Sequence, residues 1–247
     1  MKDVYPDTAN EKLLVAEIQR KAGALDNGVI GCETLVKLLH ALGIPFKPFT
    51  LIIYGKPVIV AKDIIPVASN GKPVKDYANC ISGSFTWPSG KTPCSILVKD
   101  GKAVNDMSCH AHLKKPETVI YKRKSDGKIM CGRYTQITPG MASELSWAIG
   151  GMGLLDNYSP ATEGFTGDYA DVLRKTNHTA LGVKGGLCFL CYMPNMTASE
   201  INNHFKTWLK LDMAVMLDGG HLAAINGTES FAKLNTSQQQ GYLIQGI

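Results

Sequence analysis

The stretch Ala214-Val215-Met216-Leu217-Asp218-Gly219-Gly220-His221, continued by LAAING to Gly227, decides how the chain is read. Four apolar residues deliver a carboxylate onto two glycines and a histidine. An apolar run of that length closed by a tight turn predicts a buried strand that ends at Asp218. A carboxylate at such a point is costly unless it meets solvent or a polar partner, so Asp218 is a candidate functional group. Gly219 and Gly220 leave the backbone bare, which favours close approach of something to the main chain. Upstream, Thr197-Ala198-Ser199-Glu200 has the form of a capping box. Ile201, Phe205, Trp208 and Leu209 follow at i, i+4, i+7 and i+8, which predicts an amphipathic helix feeding the strand.

Working outward, FTLIIYGKPVIVAK (49–62) reads as two β-rich runs around Gly55-Lys56-Pro57. CSILVKDGKAVND (94–106) turns at Asp100-Gly101, and YKRKSDGKIMCGRY (121–134) turns at Asp126-Gly127. GGLCFLCYM (185–193) reads as one more strand. Its Cys188 and Cys191 are three apart and fall on opposite faces, a poor metal clip and a poor redox pair. Strands predominate with helices interspersed, so the class is α+β.

The first 45 residues have a different grammar. Thr8-Ala9-Asn10-Glu11 is a second capping-box pattern, with Leu14 and Ile18 at helical spacing. After a turn-rich Leu25–Gly31, a helix carrying Leu35, Leu38, Leu39 and Leu42 is closed by Gly43 and Pro45. The chain therefore divides into a small helical module, 1–46, and a strand-rich domain, 47–247. VAEIQRKAGALDNGVIGCETLVKLLHALG (15–43) resembles the peptidoglycan-binding module of cell-wall hydrolases, through Ile18-Gln19, Asn27-Gly28, Gly31 and Thr34. Asn27 stands where that module usually has Asp. The other reading is a helical hairpin that packs on the larger domain.

The 247 residues are 45% apolar with a formal charge of +5. MKDVYPDTANEK at the start has no apolar core, so no secretory signal is expected. The most apolar region, 49–68, is interrupted by Lys56, Pro57, Lys62 and Asp63, so no membrane span is expected. Seven cysteines with no framework spacing point to a reducing compartment. The cytoplasm of the producing cell is expected, with release at lysis or carriage in a virion as routes outward. The basic run LKKPETVIYKRKSDGK (113–128) reads as a solvated hairpin or as a patch for an anionic polymer, and no nucleic-acid motif accompanies it. Cys109-His110-Ala111-His112 would put two ligands on one strand face, yet no second pair completes a zinc site. No metal and no cofactor are expected.

Three separated segments line up with one known family. ISGSFTWPSGKTPCSILVKDGKAV (81–104), SWAIGGMGLLDN (146–157) with NHTALGVKGGLCFLCYM (177–193), and TASEINNHFKTWLKLDMAVMLDGGHLAAING (197–227) resemble, in order, motifs of the phosphodiester glycosidase family. AKLNTSQQQGYLIQGI (232–247) fits its closing strand. The resemblance spans roughly residues 50–247. It implies a strand-rich domain that cleaves a sugar, typically N-acetylglucosamine, from a phosphodiester. It places Asp218 in the sugar-phosphate pocket with Gly219 and Gly220 at the phosphate. Ser82, Gly83, Ser84, Thr179 and Gly151 of the Gly150–Gly153 run would bind substrate in the same cleft. The chain departs from the family at Ser82 (Asn there), at His178 (Arg there), and at His221 and Leu222 (Gly and Ser there). A neutral imidazole does not reproduce the bidentate grip of guanidinium on phosphate. His178 would then bind phosphate and His221 act as acid or base, or both serve as hydrogen-bonded structural residues. The two resemblances together imply a bacteriophage or bacterial protein acting on cell-wall glycosyl-phosphate polymers, with peptidoglycan as a partner. The alternative is a non-catalytic cytoplasmic binder of a sugar-phosphate or nucleotide-like ligand, or an intracellular hydrolase of a nucleotide signal.

Overall fold

The computed structural model describes residues 46–87 and 92–247, together with residue 16. The capping box at Thr8, the leucine-rich helix and the module-like loop lie outside the described residues. Strands β1 (Phe49–Ile53) and β2 (Lys56–Ala61) form a hairpin. Its turn is Tyr54-Gly55, both at positive φ (47° and 76°), so Lys56 and Pro57 are strand residues, not part of the turn expected around them. Next come β3 (Ile64–Ala68), β4 (Cys80–Ser82), β5 (Leu97–Lys99) and β6 (Lys102–Asn105). Asp100 and Gly101 adopt φ of 50° and 82° and close the β5–β6 hairpin as predicted. β7 (Glu117–Arg123), β8 (Ile129–Tyr134), the short helix α1 (Pro139–Ser143) and β9 (Leu145–Gly153) follow. Then come β10 (Thr176–Lys184), β11 (Leu187–Met196), α2 (Ala198–His204) and β12 (Met213–Gly219), and last β13 (Ile225–Asn226), β14 (Lys233–Leu234) and β15 (Tyr242–Gly246).

Among the described residues the strands make two antiparallel sheets. Ten form the larger one, along β1-β2-β11-β10-β12-β9-β5-β6, with β7 on β9 and β8 on β7. Five form the smaller, β14-β13-β4-β15-β3. Side chains alternate between two cores. Ile59, Leu181, Leu190, Val215 and Leu217 face Ile64, Ile81, Ile225 and Ile244 of the small sheet. Val58, Val60, Ala180, Phe189, Ala214 and Met216 face Ile201, Phe205 and Leu209 of the α2 segment. The central strands are buried on both faces, which is why Ala214–Leu217 is uniformly apolar rather than alternating. Cys188 and Cys191 belong to opposite cores and are not bridged to each other, as their spacing predicts.

The α2 capping box is present: Thr197 Oγ1 accepts from Glu200 N–H (3.2 Å) and Glu200 Oε2 from Thr197 N–H (2.7 Å). The helix ends in one π turn, Phe205–Leu209. The wider turn rotates less per residue and keeps Phe205 and Leu209 inward. Trp208, expected on the apolar stripe, is instead 50% exposed and stacks on Tyr54 at 4.5 Å. Cys109–His112 is not a strand. It enters a 3-10 turn, Ala111–Leu113, with the His110 ring 2.8 Å from Glu163 O, so the strand-face pairing of ligands expected there does not form. No described helix is long and apolar enough to cross a membrane.

Gly150 and Gly151 are strand residues of β9, not a loop, and each makes room for a neighbour. A Cβ on Gly150 would lie 2.2 Å from Glu117 Oε1, and one on Gly151 2.4 Å from Met216 O. Glu117 is fully buried and accepts from Ile96 N–H (2.5 Å) and Cys109 N–H (3.4 Å). Burial pushes its carboxyl up to about 8, only partly offset by those donors. Between its ordinary value near 4.5 and about 8, the folded protein holds a proton that the unfolded chain has released. Glu117 alone should therefore lower stability by about 1.4 kcal/mol per pH unit across that window. Glu117→Gln, which keeps an acceptor for Ile96, should flatten the fall of melting temperature between pH 5 and 8. Parallel curves for the two proteins would refute a protonated Glu117.

Candidate functional site

The site begins where the large sheet splits. Gly150 N–H donates to Ile96 O (2.8 Å) and Leu154 N–H to Ala214 O (3.0 Å). Residues an even number apart direct their N–H groups to one edge, so β5 and β12 share one edge of β9 end to end. β5 pairs with Trp147–Ile149 and β12 with Met152 and Gly153, leaving a notch at Gly150 and Gly151. Beyond Met216, Leu217 and Asp218 of β12 part from β9 at that notch.

The Asp218 carboxyl is held by three donors. Gly219 N–H reaches Oδ1 (2.7 Å), while the Thr86 hydroxyl (3.0 Å) and Gln240 Nε2 (3.3 Å) reach Oδ2. Gln240 is a clamp: its Nε2 is also 3.3 Å from Leu222 O, and its Oε1 accepts Gly83 N–H at 3.0 Å. Burial pushes the Asp218 carboxyl up to about 6, with Gly219 N–H, Thr86 and the charge of His221 pulling the other way. The group is thus ionised at neutral pH and protonated in mild acid. Cys94 lies close to both carboxyls. Burial first, then the charges of Glu117 and Asp218, push its thiol up to about 12, so it is no nucleophile at neutral pH.

His178 pairs with Gly219 across a bulge between β10 and β12. Its ring lies against the turn, where a Cβ on Gly219 would be 2.7 Å from Nδ1. The ring is 1% exposed, its Nε2–H donates to Arg174 O (3.2 Å), and burial lowers its pKa, leaving a neutral imidazole. Thr179 fills the bulge, its hydroxyl within reach of Asp218 O (3.0 Å) and Ser82 O (3.2 Å). Ser82 spends its own hydroxyl on Leu222 O (2.5 Å) and Ala224 N–H (2.8 Å), tying β4 to the chain that returns from β12. Gly83 accepts from Asp218 N–H (3.2 Å) and donates to Tyr242 O (3.2 Å). Ser84 is buried, and its hydroxyl has no hydrogen-bond partner among the described residues. His221 is exposed on the 3-10 turn Gly220–Leu222.

The structure thus gathers Ser82, Gly83, His178, Thr179, Asp218, Gly219, Gly220 and His221 around one turn, with Ser84 next in the chain and Gly151 in the strand beneath. Three residues of this site were not singled out from sequence: Thr86, Gln240 and Arg174. Gly220 takes φ +67°, and a Cβ there would sit 3.8 Å from Arg174 Nη2, so a guanidinium does stand at the turn. It comes from four positions before His178, and the basic pair Arg174-Lys175 was the only signal for it. No group of three or more His, Cys, Asp or Glu side chains is placed to hold a metal among the described residues.

No protein-family model and no curated protein matches the sequence. Solved structures do. The fold is similar to the catalytic domain of zebrafish N-acetylglucosamine-1-phosphodiester alpha-N-acetylglucosaminidase, auto-inhibited by its pro-peptide, with TM-score 0.52 and 12% identity over 81% of each chain. It is also similar to a hypothetical protein from Synechocystis, with TM-score 0.51 and 12% identity over 80% of this chain and 61% of that one. At such identities the likeness is one of fold, and it agrees with the fold that the three sequence motifs implied.

Proposed function

We propose that the chain hydrolyses a glycosyl phosphodiester, releasing an N-acetylglucosamine-like sugar, at the turn after β12. The observation that carries this reading is the meeting of a carboxyl poised near neutrality with a glycine turn and a guanidinium. A fold shared with a phosphodiester glycosidase domain supports it. The sugar's anomeric carbon lies beside Asp218 and the phosphate over Gly219-Gly220, against Arg174. Arg174 and the turn stabilise the charge that gathers on the leaving phosphate. Water adds to the anomeric carbon, the carbon–oxygen bond to phosphate breaks, and the phosphomonoester departs with the electron pair. Asp218 stabilises the positive charge developing on the sugar, or takes the water's proton, and exposed His221 is the group through which that proton reaches solvent. His178 is a positioning residue: it supports Gly219 from below and fixes the Arg174 carbonyl. The glycosyl-phosphate polymers of cell walls are the proposed natural source of substrate, supported by the resemblance of residues 15–43 to a wall-binding module.

Asp218→Asn keeps size and an acceptor for Gly219 N–H. It should leave the fold intact and lower N-acetylglucosamine release from the methyl phosphodiester of N-acetylglucosamine 1-phosphate by ~100-fold or more. Saturable binding without any release by the native protein would instead identify a non-catalytic binder.

Activity should also fall as pH drops through about 6, because the reaction needs ionised Asp218. A rate that rises on acidification through that range would reverse the assignment and make Asp218 the proton donor.

Arg174→Ala should raise KM for the phosphodiester by ~10-fold or more, with partial recovery in Arg174→Lys, since a point charge replaces only part of a bidentate contact. An unchanged KM would remove Arg174 from the phosphate site.

A further inference from the structure

At the opposite end of β12 the surface holds a second cleft of about 400 Å³, lined by Lys62, Lys122, Lys128, Ile129, Val183 and Met213 with Asp212 and two glycines. Met213 and Asp218 are five residues apart on one strand, so ~17 Å separates this cleft from the glycine turn. Three lysines line it from two directions. Lys62 follows β2, and Lys122 and Lys128 flank the β7–β8 turn. The lining has one carboxylate, Asp212, which already accepts Gly185 N–H at 2.9 Å. Lys122 is held in place: its ammonium is 2.5 Å from Asp63 Oδ2, and Asp63 Oδ1 is anchored by Trp147 Nε1–H (2.8 Å) and Ile64 N–H (2.9 Å). Lys62 and Lys128 are exposed and form no ion pair among the described residues. Ile129, Val183 and Met213 give the cleft an apolar wall. The volume falls within the range of small-molecule pockets.

We propose that this cleft is an anion site that takes a phosphate ester, its phosphate between Lys62, Lys122 and Lys128 and its organic part against Ile129 and Met213. A phosphate, monoester or diester, spreads its negative charge over oxygens that several lysines can share, which a single carboxylate does less well, and the apolar wall gives a sugar or alkyl body something to lie on. The site is independent of the Asp218 turn in both residues and position. It serves a free phosphate ester and a phosphate within a polymer through the same contacts.

The test is calorimetric titration of the full chain with inorganic phosphate, N-acetylglucosamine 1-phosphate and tripolyphosphate, in the native protein, Lys62→Gln/Lys128→Gln and Arg174→Ala. Saturable binding that weakens ~10-fold or more in the lysine double variant, weakens with added salt and persists in Arg174→Ala supports the proposal. N-acetylglucosamine 1-phosphate binding more tightly than tripolyphosphate points to a free ester, and the reverse order to a polymer. Both substitutions are at exposed positions, and an unchanged melting temperature verifies the fold. Absence of saturable binding, equal affinity in the lysine variant, or loss in Arg174→Ala alone would overturn it. The last result would place the anion at the turn after β12 instead.

Discussion

Burial of the central strands on both faces is the constraint from which the rest of the molecule follows. β2, β11, β10 and β12 each send alternate side chains into the core under the small sheet and the core under α2. Neither face can carry a charge there without the cost of removing it from water. Polar chemistry is therefore pushed to where a strand ends or where two strands part. β12 offers both. It leaves β9 at Gly151, and within two residues it delivers Asp218 into a notch that Thr86, Gln240 and Cys94 help to fill. The same exclusion sets terms for Glu117. Like Glu163, which accepts Gly153 N–H, it is a fully buried carboxyl beside β9, and it is admitted because Gly150 has no side chain and because Ile96 and Cys109 offer it N–H groups.

Legibility in the sequence followed the range of the interactions. The Asp-Gly turns, the Thr197–Glu200 capping box and the opposite-facing cysteines are set by residues within a few positions of one another, and local pattern announces them. Asp218 was legible for a related reason, since a charge ending an apolar run breaks the rule that its neighbours obey. Gln240 and Thr86 were not, because neither has a local anomaly; each acquires its role when a distant segment folds over the turn. Trp208 was misplaced because the apolar period was read as a regular α-helix, whereas the chain widens into a π turn after His204. The Gly150–Gly153 run was read as cleft lining. Close packing against Glu117 and Met216 accounts for its first two glycines, and a strand-on-strand contact of that kind leaves no trace in composition.

Asp218 shows how opposing terms settle a carboxyl near neutrality. Three hydrogen-bond donors and a nearby histidine favour the ionised form, and burial opposes them more strongly. Glu117, deeper and farther from solvent, is pushed higher still. Two carboxyls at different depths are thus separated in protonation state by environment alone: at pH 7 the outer one is charged and the inner one is neutral. A neutral Glu117 adds no negative charge beneath a site proposed to hold a phosphate, whereas an ionised one would repel it.

His178 stands where the resembling motif has an arginine, and the turn itself shows how a histidine is accommodated there. A guanidinium projecting from position 178 would start on β10 directly opposite Gly219, in the space the imidazole now fills. With histidine there, the ring is short enough to stay buried, and its Nε2–H is satisfied by the Arg174 carbonyl rather than by a ligand. That bond ties the backbone of Arg174 to β10 while the Arg174 side chain lies near Gly220. Positive charge is thereby kept at the turn but is carried by a loop residue four positions earlier, and the strand position keeps only the task of support. Because burial also lowers the His178 pKa, the imidazole adds no second positive charge beneath the turn. In the proposed reaction, the phosphate is then met by one exposed guanidinium fork above the glycine turn and by an uncharged floor below it.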